Sequence, residues 1–193
     1  MSSSGQKNDS TTRSRLLQAA VSCVRKHGVA NASIQSVASE AGVSKALVLY
    51  HFGKKDLLLA STYEWLAKQG AKRERAALLH SDGPRVLEDL WGWVADELAC
   101  GELVAAFEIA CQHEPAVDAV AERVSRERLL AAERTVSEVF SKLALRPRVP
   151  LALLGSAQLA FVDGLAMQAM QCPGANHRIP FDIFWLALLS LVE

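Results

Sequence analysis

The 193-residue sequence predicts an all-α fold of nine helices. Three observations carry this prediction. Apolar residues recur every three or four positions in nearly every segment, and no segment alternates apolar and polar residues with a period of two. Gly, Pro and Ser also stand where helices would end or begin. Half of the residues are hydrophobic and 22% are charged, which excludes a chain that is disordered throughout.

The N-terminal segment is expected to begin with a polar, disordered tail over residues 1–10, which has no apolar run and so does not resemble a signal peptide. The first helix is predicted over Thr12–His27. Its stripe of apolar residues ends at Gly28, and glycine is the residue type that most readily takes up the left-handed backbone after a helix.

Two short helices joined by a tight turn form a helix-turn-helix pattern over about residues 33–52. Ser33 and Ser44 can each cap the N-terminus of a helix, because a serine oxygen accepts from a free backbone N–H. Gly42 permits a left-handed turn between the helices, and Val43 can fill the gap between them.

The remaining six helices follow the same rules of periodicity and capping. They are expected at about 54–79, from 84, at 102–112, at 115–143, at 151–170 and from 181. The apolar stretch 149–170 is long enough to span a bilayer, but a central Asp163 would cost about 2.5–3.5 kcal/mol there. We therefore expect a cytoplasmic protein with no membrane span, in which this helix is buried between subunits.

The charge of the chain is unevenly distributed. Residues 1–56 contain eight Lys or Arg and three Asp or Glu, although the whole chain has a formal net charge of zero. A basic N-terminal part favours a polyanionic partner. Lys45, Ala46, Leu49 and Tyr50 would share one exposed face of the third helix, where a lysine and a tyrosine suit contacts to DNA. The alternative is an ordinary helical hairpin with a solvated basic face.

These residues carry a resemblance to a known family. Ser33–Phe52 followed by Gly53–Leu57 resembles the DNA-binding domain of the tetracycline-repressor (TetR) family of bacterial regulators. Thr12–Ala20 with His27 and Gly28 is similar to the first helix of that family, and Val162–Leu165 to a segment of its eighth helix.

The resemblance implies a DNA-binding domain over 11–56 and a helical ligand-binding and dimerisation domain over 57–193. It implies a homodimeric, ligand-released repressor that binds a palindromic double-stranded DNA operator. The residues that it implies for DNA contact are Ser33, Ser44, Lys45, Ala46, Leu47, Tyr50, His51 and Lys55. Ala46 replaces a frequent glycine of the family and Leu49 its most typical tyrosine, which leaves the operator sequence open.

Aromatic and polar residues of the second domain are candidates for binding a small, hydrophobic effector. They are Trp65, Trp91, Trp93, Phe107, Gln112, His113, Asp163, Met167, Gln168 and Met170. Two apolar segments, 151–170 and 181–192, are expected to form the dimer interface, with Leu188 within it. Gly164 is expected to allow close helix approach or ligand access.

An enzyme is not expected. The four cysteines are scattered, no metal-ligand spacing or phosphate-binding loop is present, and Cys111 and His113 would face different directions on a helix. We therefore predict no catalytic residues, no metal and no cofactor. A helical carrier of small molecules or lipids that does not bind DNA is the alternative function, and the basic N-terminal part with its Gly42-Val43-Ser44 turn argues against it.

Overall fold

The structure, a computed structural model, describes the backbone of residues 3–192 and the side chains of residues 9–192. Over this range the chain forms nine α-helices and no β-strand, which confirms the predicted fold class. They are α1 (Ser3–His27), α2 (Ile34–Ala41), α3 (Lys45–Phe52), α4 (Lys55–Leu79), α5 (Val86–Cys100), α6 (Glu102–Ala110), α7 (Pro115–Lys142), α8 (Leu151–Gln171) and α9 (Arg178–Leu189).

Two helices begin earlier than their sequence predicts. Helix α1 starts at Ser3, so residues 3–10 are helical, unlike the disordered tail expected for 1–10, and residues 1 and 2 lie outside the described range. A polar composition removes the apolar stripe from which a helix is recognised, but it does not prevent a helix from extending. Helix α9 starts at Arg178 although Pro180 follows, because proline is tolerated in the first turn of a helix.

The chain forms two compact units. The N-terminal unit contains residues 1–66 and 105–121, and the second unit contains residues 67–104 and 122–193. The predicted boundary after residue 56 therefore lies inside α4, and residues 105–121 group with the N-terminal unit rather than with the residues that precede them.

The N-terminal unit is built around the apolar stripe of α1. All five residues of the predicted stripe are buried: Leu16, Leu17, Ala20, Val21 and Val24. Helix α2 packs on α1 through Ile34, Val37 and Ala38. Burial of these side chains supplies the hydrophobic free energy that fixes the short helices α2 and α3, which are too short to be stable alone.

The core of the second unit lies among α4, α5, α7, α8 and α9. Its largest fully buried side chains include Trp185, Phe181 and Phe140. Helices α7 and α8 approach closely at Gly155, where an added Cβ would lie 2.7 Å from the backbone N of Glu133. Of the two roles expected for Gly164, close helix approach is wrong, because a Cβ there would meet no atom within 4 Å, and ligand access stays a prediction.

Helix α8 is, in the described part of the chain, the one helix that is long and apolar enough to cross a membrane. Its mean hydropathy is 1.3 over the relevant window, of which 33% is buried inside the protein. A core helix of a soluble protein meets the same criterion. The buried residues of α8 include Leu154, Gln158 and Leu165, which belong to the interior of the second unit.

Helix α9 divides its apolar residues between two faces. Phe181, Trp185 and Leu188 are buried, and Leu188 is only 6% exposed. Ile183 and Leu186 point outward, and Leu186 is 72% exposed. The prediction that Leu188 lies in a dimer interface is therefore wrong, because its side chain is already covered by its own subunit.

Candidate functional site

The turn between α2 and α3 has the geometry that its sequence predicts. Ser33 caps α2 by accepting from the backbone N–H of Ser36, which reciprocates in a capping box. Gly42 has a left-handed φ of 65°, and the N–H of Val43 donates to the carbonyl of Ala38 at 2.9 Å. Ser44 then caps α3 by accepting from the N–H of Leu47 at 3.2 Å.

Helix α3 has one face exposed to solvent, with both polar and apolar residues, and one buried face. Val48 and Phe52 are buried against the N-terminal unit. The four residues predicted to share the outer face are all exposed: Lys45, Ala46, Leu49 and Tyr50. Tyr50 is 78% exposed, so its hydroxyl is free to reach a partner, while Leu47 is half-buried. A cation, a hydroxyl and an apolar surface thus lie together on a helix that is held at both ends.

Two residues predicted to contact DNA, His51 and Lys55, have partners within the protein. The His51 side chain is only 5% exposed, and its Nδ1 lies 3.7 Å from a carboxylate oxygen of Asp9. The ammonium of Lys55 donates to the carbonyl oxygen of Ala30 at 2.9 Å. The neighbouring Lys54 is exposed and pairs with Asp56 at 2.7 Å. The structure thus gives His51 and Lys55 internal partners, and Lys54 is the more exposed cation beside α3.

A carboxylate from α6 holds the segment that enters α2. Glu108 accepts a hydrogen bond from the backbone N–H of Val29 at 3.0 Å, immediately after the left-handed Gly28. Val29 begins a short 3₁₀ turn whose next residue, Ala30, is held by Lys55. Glu108 was not predicted as a functional residue, because its partner is a backbone group 79 positions away and leaves no pattern in the sequence.

The ten residues predicted to bind an effector are divided between the two units. Trp65, Phe107, Gln112 and His113 belong to the N-terminal unit, where His113 is exposed and the other three are half-buried. The other six belong to the second unit: Trp91, Trp93, Asp163, Met167, Gln168 and Met170. Neither unit on its own therefore brings all ten residues together.

The six residues of the second unit also serve different purposes. Trp91 packs against Phe181 with ring centroids 5.2 Å apart, and Arg178 lies over its face. Asp163 makes an ion pair with Arg128. The remaining three predicted residues of α8 are exposed on its outer surface: Met167, Gln168 and Met170.

Trp93 lines an open cleft of about 820 Å³ in the second unit. The cleft is rich in carboxylates, and Glu97, Cys100 and Glu102 place one ligand atom each within 4.8 Å of one another. Arg73 pairs with both carboxylates, and its hydrogen bond to Glu97 raises the pKa of the guanidinium. The arginine therefore already supplies the positive charge that a metal ion would bring to these carboxylates.

A polar cluster lies buried inside the second unit, and sequence reasoning missed it. Glu74 of α4 accepts from the hydroxyl of Thr135 on α7 at 2.9 Å and from the amide of Gln158 on α8 at 3.4 Å. All three side chains are buried, and burial raises the pKa of Glu74. The sequence does contain a signal for this cluster: each of the three polar residues lies at helical spacing from core leucines or valines. A polar residue on such an apolar stripe is buried and needs hydrogen-bond partners.

Comparison with known proteins places the N-terminal segment in a family. Residues 16–62 match the family model described as bacterial regulatory proteins, tetR family. The HTH-type transcriptional regulator BetI of Agrobacterium fabrum is 38% identical over 73 residues, which cover 38% of this chain and 35% of BetI. The HTH-type transcriptional regulator CymR of Pseudomonas putida is 40% identical over 67 residues, 35% of this chain and 33% of CymR. The matched segments thus span about a third of these relatives.

Solved structures share the fold over nearly the whole chain. The fatty acid degradation regulator FadR from Bacillus halodurans has a TM-score of 0.74 at 16% identity, covering 92% of this chain and 94% of FadR. SmeT, in a complex with triclosan, has a TM-score of 0.65 at 23% identity, covering 92% of this chain and 91% of SmeT. At these identities the likeness shows the fold alone. The family match shows that residues 16–62, which contain the helix-turn-helix, are of the type described as bacterial regulatory proteins, tetR family.

Proposed function

We propose that this protein is a transcriptional regulator that binds a DNA operator through α3 and is released by a small molecule. The observation that carries the proposal is the exposed face of α3, which includes Lys45 and Tyr50. The turn before α3 is capped, so the start of the helix is fixed. This face belongs to the segment that matches the family model, and the relatives that match the segment are named as HTH-type transcriptional regulators.

We infer a division of labour among the residues of this surface. The side chains of Lys45 and Tyr50 would contact bases or phosphates in the major groove, with Ala46 and the turn residue Ser44 beside them. Leu49 is exposed and cannot donate a hydrogen bond, so it suits apolar contact with a thymine methyl group. Ser33 and Leu47 would act through the helix N-termini that they form or occupy.

Dimerisation would place two such helices on one operator. Helices α8 and α9 leave large apolar side chains exposed, and a second copy of the chain is the partner that would cover them. They are Leu153, Met167, Met170, Ile179, Ile183 and Leu186. A two-fold dimer presents two α3 helices, so the operator would be a palindrome with half-sites about one helical turn apart, or a small multiple of that distance.

The effector would act through α4, which contributes residues to both units. A ligand that displaces the second half of this helix would shift the first half, whose residue Lys55 holds Ala30 close to the start of α2. The SmeT–triclosan complex and the name of FadR support a small, largely apolar effector for this fold. Linkage then requires DNA to weaken effector binding by the same factor by which the effector weakens DNA binding, typically about 5–150-fold. We place this regulator in the cytoplasm, where the operator is.

The test is a DNA-binding titration with fluorescently labelled DNA from the region upstream of the protein's own gene. Lys45→Ala and Tyr50→Ala should each weaken binding by about 1–3 kcal/mol, roughly 5–150-fold. Lys72→Ala is the matched control, because Lys72 is an exposed lysine on α4 in the second unit and removes the same charge.

The result that contradicts the proposal is equal weakening by all three substitutions, which would indicate only non-specific attraction to the phosphates. Absence of binding to upstream DNA and to a random-sequence library would favour the helical carrier instead.

A further inference from the structure

We propose that Glu74, Thr135 and Gln158 form the recognition centre for the effector, and that this effector is an apolar molecule carrying a protonated amine. The inference rests on the proposed function only in calling the ligand an effector. The site itself belongs to the second unit and is argued from that unit alone.

The three side chains meet from three different helices. Thr135 Oγ1 donates to Glu74 Oε1 at 2.9 Å, and Gln158 Nε2 donates to the same oxygen at 3.4 Å. Each residue belongs to a face that is otherwise core. One helical turn away on the same helices stand the buried residues Leu78, Val139 and Leu154.

The cluster has more acceptors than donors. Gln158 is only 3% exposed, yet its Oε1 has no hydrogen-bond partner. Within residues 9–192, no lysine, arginine or histidine forms an ion pair with Glu74. The charges of Arg128, which is paired with Asp163, and of Arg134 lower the pKa of Glu74, but less than burial raises it. When Glu74 is ionised, turning the amide of Gln158 around would bring its oxygen towards Glu74 Oε1 and set acceptor against acceptor. A buried acceptor without a donor is unfavourable, and the structure contains one at Gln158 Oε1.

A protonated amine has the chemistry that this cluster lacks. An ammonium group brings a positive charge and three N–H donors and no acceptor, so one group can serve both the carboxylate and the amide oxygen. Burial raises the pKa of Glu74, and a bound cation would oppose that shift by stabilising the ionised carboxylate.

The surroundings suit an apolar ligand body. The neighbouring side chains on all three helices are aliphatic, as the core cluster shows. Gly70 lies one turn before Glu74 on the same face of α4, is half-buried, and has no atom within 4 Å of the position of an added Cβ. Open space thus begins one turn away from the carboxylate, at the half-buried Gly70.

The experiment compares three probes of equal length on the free protein at neutral pH: n-hexylamine, n-hexanol and hexanoate. Calorimetric titration should give hexylamine an affinity about tenfold or more above that of the alcohol, because the hydrogen bonds are charge-assisted. Hexanoate should bind most weakly, since its charge repeats that of Glu74.

The variants separate recognition from structure. Glu74→Gln should abolish the preference for the amine, since the new amide can itself donate to the oxygen of Gln158. Gln158→Met removes the unpartnered acceptor together with the amide that donates to Glu74, so it should lower amine affinity about fivefold or more. Glu138→Gln is the control, because it neutralises a half-buried carboxylate on α7 outside the cluster, and it should keep the preference.

Equal binding of hexylamine and hexanol, no binding of hexylamine to the wild type, or an unchanged preference in Glu74→Gln would each overturn the inference. These measurements use the free protein and do not depend on DNA. A protein that binds its operator but shows no amine preference refutes this inference alone, whereas one that selects amines but binds no DNA refutes the proposed regulator alone.

Discussion

The helix-turn-helix and the helices α8 and α9 differ in how much of their structure helical periodicity predicts. In the helix-turn-helix, the sequence predicts the bounds of both helices, their caps and the exposed face of α3, and the structure has each of them. In α8 and α9 the helices are present, but the residues expected on their outer and close-packed faces, Leu188 and Gly164, lie elsewhere.

The difference arises from how much each segment restricts its own orientation. Helix α2 has one apolar stripe between its capping serine and the glycine turn, so only one of its faces can be buried, and the turn then fixes where α3 begins. Helices α8 and α9 are apolar almost all round, so their periodicity does not distinguish the face that contacts the core from the face that a second subunit would cover. Only packing partners from distant parts of the chain decide between them.

The largest expected effect tests the two faces of α9 directly. Leu188→Glu buries a carboxylate in the core and should destabilise the folded protein by about 4 kcal/mol or more. Leu186→Glu places the same carboxylate on the exposed face, so it should leave the monomer folded and prevent the proposed dimer from forming. Thermal unfolding with circular dichroism and the mass from sedimentation measure the two effects.

The two variants serve as controls for each other, because they introduce the same residue into the same helix. Dimers that persist in Leu186→Glu would exclude this face of α9 from the interface. A folded, stable Leu188→Glu protein would show that the buried face of α9 is assigned wrongly.

A smaller effect separates the two glycines of α8. Gly155→Ala should destabilise the protein by about 1–3 kcal/mol, because the new methyl group meets the backbone of Glu133 and the helices must separate. Gly164→Ala should instead stabilise it by up to about 1 kcal/mol, because the methyl group meets nothing and alanine favours the helix. Urea unfolding of the pair measures this difference, and a destabilised Gly164→Ala protein would reinstate the close approach predicted there.

The candidate site divides along the same line between local and distant information. The exposed positions of Lys45 and Tyr50 depend on neighbouring residues of the same short segment, so the sequence predicts them. The internal partners of Lys55 and Glu108 are backbone groups of the segment before α2, and such groups leave no trace in a residue pattern. The cluster around Glu74 requires α4, α7 and α8 to meet, which is decided by tertiary packing over 84 positions of sequence.

The smallest effect is a difference in pH dependence between two glutamates, one in each unit. Glu40 of α2 accepts hydrogen bonds from Lys26 at 2.7 Å and from Ser22 at 2.6 Å, and the bond from Lys26 is the main cause that lowers its pKa below the ordinary value of 4.5. Burial raises the pKa of Glu74 above the same ordinary value. The two carboxyl groups thus depart in opposite directions.

The signs follow from which protonation state the fold favours. The fold favours ionised Glu40, so its contribution to stability is present above pH 4.5 and is lost as the pH falls through the lower folded pKa. The fold favours neutral Glu74, so this residue leaves stability unaffected below pH 4.5 and diminishes it as the pH rises towards the higher folded pKa.

Melting temperatures of the wild type, Glu40→Gln and Glu74→Gln between about pH 3.5 and 7 test this opposition. The stability of Glu40→Gln relative to the wild type should be lowest near neutral pH and should recover as the pH falls. Glu74→Gln should gain stability relative to the wild type as the pH rises above 4.5. Parallel pH profiles for the two variants would contradict the assignment. Opposite profiles would mean that the exposed glutamate stabilises the N-terminal unit by its charge, while the second unit retains a buried carboxyl group at the expense of stability, as a residue kept for binding would require.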